Sequence, residues 1–315
     1  MKKGSIHFQI QQLFLRSGIF TPGASKHEAK LRARERGIHS WKEMGEAHSI
    51  YSFETADAYL AVWHQLGRHA HLHGLDSVDQ LTPEHVRSYL LSKIEEGVAR
   101  STYRLHTAAI MKLEKALRMR GMEGPSLRPV IDELAKEART LENNHVPRAY
   151  VDPSALIQAI PRESLRLAAR LQYEGGARVR EISLIKSVQF LGEEEDVLMG
   201  TLMGKVHLIH CKGGLERDIL ISLPTHEMLL KALEKGEGLF RINPEVYRRS
   251  IVRAARESYQ DYQGTHGLRW NFAQRRFFSC RDHGLSKEQA LKRVSLEMGH
   301  RRASITLRYL LPTPY

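Results

Sequence analysis

"MGHRRASITLRY", residues 298–309, sets a Gly299-His300 pair and the arginines Arg301 and Arg302 ahead of Tyr309, which follows the histidine by nine positions. A helix whose only task is packing needs none of this. A tyrosine so placed is ordinarily half-buried core. The alternative is a phenol held among cations, which is the setting of an activated nucleophile. Which reading holds depends on what else the chain supplies.

Three more stretches of the second half join basic or imidazole groups to glycine. Gly176-Ala177-Arg178-Val179-Arg180-Glu181 reads as a helix start, and Lys212-Gly213-Gly214 as a hairpin tip. In Thr265-His266-Gly267-Leu268-Arg269, the spacing of three puts His266 and Arg269 on one helix face. Singly, each is ordinary: a surface arginine, a solubilising lysine, a solvated helix face. Together with Tyr309 and His300 they offer guanidiniums, an ammonium, two imidazoles and a phenol. No carboxylate cluster suits Mg²⁺, and no metal-ligand spacing is present. Such a set fits attack on a phosphodiester whose developing charge is neutralised by side chains.

The bulk properties agree with a polyanionic substrate. The chain has 315 residues, 42% hydrophobic and 27% charged, as in globular proteins. Its net charge is +12, and both halves are basic: +5 over 1–150 and +7 over 151–315. Excess charge in both favours a long anion touching both over a small ligand in one. No apolar run approaches the roughly 18 residues of a membrane span, and the start does not read as a signal peptide. Cys211 and Cys280 are too far apart for a metal motif, which suggests a reducing, intracellular setting.

Along the chain, 1–40 reads as a basic arm. Helices are expected from Ser52, from Thr82-Pro83-Glu84 and from Ser101, giving a helical domain over 41–141. The polar stretch 142–153 reads as a linker ending at Asp152-Pro153, and 154–315 as a second domain. There a helix is expected over about 153–173, and an antiparallel sheet over 196–221 with turns at Gly204 and Gly213-Gly214. Ser286 to Gln289 offers a capping box for the helix that follows.

At this point the chain resembles the tyrosine recombinases (phage-integrase family). That family shows "G-[LM]-R-[IV]-S-E", "K-G-x-K-E-R", "H-x-L-R-H" and "L-G-H-x-x-x-x-T-T-x-x-Y". Here these read "GARVRE", "KGGLER", "HGLRW" and "MGHRRASITLRY", in the same order, and the likeness covers about 42–310. The resemblance implies a mainly α fold with a small antiparallel sheet, made of a helical core-binding domain and an α+β catalytic domain that clamp DNA. It implies a site-specific recombinase or integrase working through a 3′-phosphotyrosyl link, without metal, cofactor or ATP. Arg178, Lys212, His266, Arg269 and His300 would be catalytic, Tyr309 the nucleophile, and Glu181 the support of Arg178. Arg180 is the rival of Arg178, Lys205 of Lys212 and Tyr315 of Tyr309. Trp270 departs from the usual histidine, and Ser304-Ile305-Thr306 from the usual threonines. The implied partners are double-stranded DNA, three further copies in a homotetramer on two sites, and accessory DNA-bending proteins, in the nucleoid of the cytoplasm. The alternative is a non-catalytic, sequence-specific DNA-binding protein of the same fold.

Overall fold

The computed structural model describes residues 4–142, 146–211, 215–300 and 302–310, apart from the side chains at 41, 42, 210 and 215. It divides into two units, Met1–Asn144 and His145–Tyr315. Among the described residues, no helix is long and apolar enough to cross a membrane.

The first unit is helical: α1 (Ile6–Arg16), α2 (Lys26–Glu35), α3 (Trp41–Ala47), α4 (Phe53–Leu72), α5 (Pro83–Glu95), α6 (Arg100–Met119) and α7 (Arg128–Glu137). Ser52 and Thr82 cap α4 and α5 through their hydroxyls, satisfying amides that the helix itself leaves unpaired. The third start lies at Ala99 rather than Ser101, and no side chain caps it. Residues 1–40, expected as a basic arm, contain a helix of the core. Ile6, Ile10, Leu13 and Phe14 recur on one face of α1 and are buried with Trp63 and Leu66 of α4. The approach is close: a Cβ at Gly67 would lie 2.4 Å from the Ile10 side chain.

The second unit holds α8 (Pro153–Gln158), α9 (Glu163–Gly175), α10 (Val179–Ile182), β1 (Leu184–Lys186), β2 (Phe190–Asp196), β3 (Thr201–Cys211) and β4 (Leu215–Ile221). It continues with α11 (Leu223–Lys235), β5 (Leu239–Arg241), α12 (Pro244–Glu257), α13 (His266–Asp282), α14 (Lys287–Glu297) and α15 (Ala303–Thr306). β2, β3 and β4 form an antiparallel sheet, and β1 pairs with β5. The single helix expected over 153–173 is two, α8 and α9, parted around Pro161, whose ring cannot sit inside a helix. The turn expected at Gly204 is also misplaced, because β3 runs straight through it. Gly204 is instead a close approach, since a Cβ there would strike the His226 ring at 2.1 Å. That ring stacks on Phe190, with centroids 3.9 Å apart.

Beyond the division at 144, part of the expected linker is docked on the second unit. The Tyr150 amide donates to Asn271 Oδ1 at 3.0 Å, and Asn271 Nδ2 donates back to the Tyr150 carbonyl at 2.7 Å.

Candidate active site

The site begins where α9 stops. Gly176 caps that helix in the left-handed region (φ 62°), a conformation glycine adopts at little cost. Two residues on, Arg178 precedes α10 and is tied to Glu181 twice: its amide donates to Oε2 at 2.9 Å and Nη1 to Oε1 at 2.6 Å. Glu181 is buried and takes a third bond, from Arg217 Nη2 of β4 at 2.7 Å. Burial works to raise the Glu181 pKa. The charges of Arg217 and Arg178, with the Arg178 amide, outweigh it and hold the carboxylate ionised. Arg180, the rival arginine, is exposed.

α13 supplies the next groups from its first turn. His266 opens the helix. At Gly267 the backbone passes so close to Tyr150 that a Cβ would lie 2.4 Å from the ring, which accounts for glycine there. Arg269 has no exposed surface. It donates through Nη1 to the Gly176 carbonyl, through Nη2 to the Met298 carbonyl, and through Nη2 to His300 Nε2 at 3.1 Å.

That last bond fixes the state of His300. A guanidinium can only donate, so Nε2 carries the lone pair and Nδ1 the hydrogen. Nδ1 then donates to Thr306 Oγ1 at 2.9 Å, which in turn lies 2.6 Å from Ser295 Oγ. Burial, then the guanidiniums of Arg269, Arg178 and Arg217, lower the His300 pKa to about 3. Burial of the ring, then Arg269, Arg178 and Arg148, take His266 down to about 4, although the residue as a whole is exposed, unlike the buried His300. Both imidazoles are neutral at pH 7.

Tyr309 is half-buried on the last described turn. Its ring centroid lies 5.3 Å from that of His300, 5.1 Å from that of Trp270, and 6.0 Å from the Arg269 guanidinium carbon. Trp270 therefore packs against the phenol rather than serving only the core.

The structure thus brings Arg178, Glu181, His266, Arg269, His300 and Tyr309 to one place. Lys212 and Tyr315 lie outside the described residues. Lys205, the rival lysine, is inside β3 and already paired, 2.6 Å from Glu194 and 3.2 Å from Asp218. Among the described residues, no group of three His, Cys, Asp or Glu side chains could hold a metal ion. Arg217 ends the quoted "KGGLER" stretch but was given no role from the sequence. The available signals were that motif and its strand position, since it shares the inward face of β4 with the buried Ile219 and Ile221.

No family profile matches the chain. Over 205 residues it is 22% identical to tyrosine recombinase XerC of Bacillus pumilus, covering 64% of this chain and 64% of that protein. The chain is thus aligned to somewhat under two thirds of that relative's length. Among solved structures it is similar to the XerH site-specific recombinase bound to difH substrate in a pre-cleavage complex. There the TM-score is 0.61 at 14% identity, with 96% of this chain and 91% of that one covered. It is also similar to a lambda integrase dimer bound to a COC′ core site, with TM-score 0.58 and 18% identity over 89% and 80% of the two chains. The chain has the tyrosine-recombinase fold.

Proposed function

We propose that this chain, which has the tyrosine-recombinase fold, is a site-specific DNA recombinase acting through a covalent phosphotyrosyl intermediate. The observation that carries this reading is the stack at Tyr309: a phenol over Arg269, which is itself bonded to His300 and shares the Gly176 carbonyl with Arg217 of the Arg178 cluster.

In this mechanism Tyr309 Oη forms a bond to the phosphorus while the bond from phosphorus to the 5′-oxygen breaks. The phenolic proton leaves toward neutral His266. The departing oxygen takes a proton from Lys212, a role assigned by resemblance alone. Arg178 and Arg269 offer paired N–H groups to the non-bridging oxygens as charge develops. His300 can donate to the same oxygens only after a proton reaches Nε2, which now accepts from Arg269. A 5′-hydroxyl of a second duplex then attacks the phosphotyrosine, restores the phenol and exchanges strands. The phosphodiester energy is kept in the covalent link, so the cycle requires no ATP and no metal step.

Strand exchange between two duplexes requires a protomer at each cleaved strand, hence a homotetramer on two sites, working where chromosomal or element DNA is kept. The test is direct. The chain is mixed with duplexes carrying candidate sites and nicked beside the scissile phosphate, and SDS-resistant adducts are mapped by peptide digestion. Adducts at Tyr309 support the reading; their absence across a library of sites sinks it.

A further inference from the structure

We propose that Arg217 is a positioning residue for this reaction, and that it keeps the Arg178 cluster cationic toward the phosphate. The inference rests on the recombinase reading. Arg217 reaches three parts of the site from β4, with its side chain only 8% exposed. Nη2 donates to Glu181 Oε2 at 2.7 Å and to the Gly176 carbonyl at 3.3 Å, and Nη1 donates to the Glu297 carbonyl at 2.7 Å. One guanidinium therefore joins the support of Arg178, the carbonyl that also holds Arg269, and the end of the helix that delivers His300. Gly299 makes room for it: φ is 65°, and a Cβ there would come within 3.0 Å of Arg217 Cδ.

The charge count gives this arrangement its purpose. Arg178 paired with Glu181 alone would be electrically neutral, and a neutral pair in a water-poor site offers a phosphate little. With the carboxylate divided between two guanidiniums, the trio carries a net positive charge. Arg217 follows Lys212 by five positions in the sequence.

The test compares the wild-type chain with Arg217→Met and Arg217→Lys on nicked duplexes. One duplex has an ordinary scissile phosphate; in the other a methylphosphonate removes one negative charge. The Met variant should bind duplex normally yet form adducts about a hundredfold more slowly, the scale of a small misplacement in a site. On the methylphosphonate its deficit should shrink severalfold, and the Lys variant should recover part of the rate on the ordinary substrate. A Met variant that cleaves like wild type overturns the proposal. So does a deficit of the same size on both substrates, which would make Arg217 a scaffold and nothing more. If melting shows the Met variant unfolded, the Lys variant decides: it must cleave more slowly than wild type, with a smaller deficit on the methylphosphonate. Failure of the wild-type chain to form any adduct is a different outcome; it removes the recombinase reading and this inference with it.

Discussion

The Arg269 guanidinium lies beneath the Tyr309 ring, its carbon 6.0 Å from the ring centroid, and has no surface open to solvent. No phosphate oxygen can reach such a cation unless a neighbour moves. Tyr309, half-buried on the final described turn, is one of those neighbours, with His300 and the Gly176 and Met298 carbonyls. In the proposed reaction, engagement of a phosphate by Arg269 would then require a rearrangement around that guanidinium.

Replacing Tyr309 with phenylalanine keeps the ring on Arg269, His300 and Trp270 and removes only the oxygen. Duplex binding should persist while SDS-resistant adducts disappear. Adducts formed by Tyr309→Phe would move the assignment to Tyr315.

Glu181 is the buried anion that two partly buried guanidiniums share. Glu181→Gln leaves Arg178 and Arg217 without a counter-charge, and uncompensated buried charges of this kind cost about 3–5 kcal/mol. Urea unfolding should show a loss of that order, whereas exposed Arg180→Gln should change stability by less than about 0.5 kcal/mol.

Histidine ionisation gives the pH dependence a definite sign. His266 and His300, held near 4 and 3, stay neutral in the folded chain, while in the unfolded chain they take up protons below about 6.5. Their stabilisation is complete above that pH and is lost as pH falls toward the folded values. His207, raised first by its bond to Asp218, has the opposite sign and loses its contribution as pH rises. Thermal midpoints should therefore fall between pH 7 and 5, and His300→Asn should flatten that fall. An unchanged slope in the variant would contradict the neutral, buried imidazole.

The two lysines can be told apart by chemistry. Lys212→Ala should slow cleavage by about a hundredfold or more, the scale of a lost general acid. A 5′-bridging sulfur, which leaves without a proton, should restore the rate. Lys205→Ala should cleave normally, because that ammonium is already engaged by Glu194 and Asp218. Sulfur rescue of Lys205→Ala instead would reverse the assignment.

Duplex affinity should fall by orders of magnitude between roughly 50 and 200 mM salt, as for any protein neutralising many phosphates. Cleavage should persist in excess EDTA. A shallow salt slope, or inhibition by EDTA, counts against the mechanism.

Local signals carried much of this. The hydroxyl caps at Ser52, Thr82 and Ser286 act over three residues, so the sequence displays them directly. The six described groups of the expected site stand in short motifs legible in the sequence itself. Longer-range facts were not visible in that way. Gly204 resembles a turn because glycine usually marks one; only the packing of α11 on β3 shows that His226 needs the space. Arg217 ended a quoted motif, yet its role stayed hidden because its partners are the end of α9, α10 and the end of α14. The basic composition of 1–40 hid a four-residue apolar stripe.

That stripe bears on how the helical unit can be isolated. Cutting at residue 41, where composition changes, would strip Ile6, Ile10, Leu13 and Phe14 from α4 and leave Trp63 and Leu66 facing water. Newly bared apolar surface of that kind promotes aggregation. An excised fragment begun at residue 4 and ended near 144 keeps its own seal, and any affinity tag belongs before Ser5, the cap of α1.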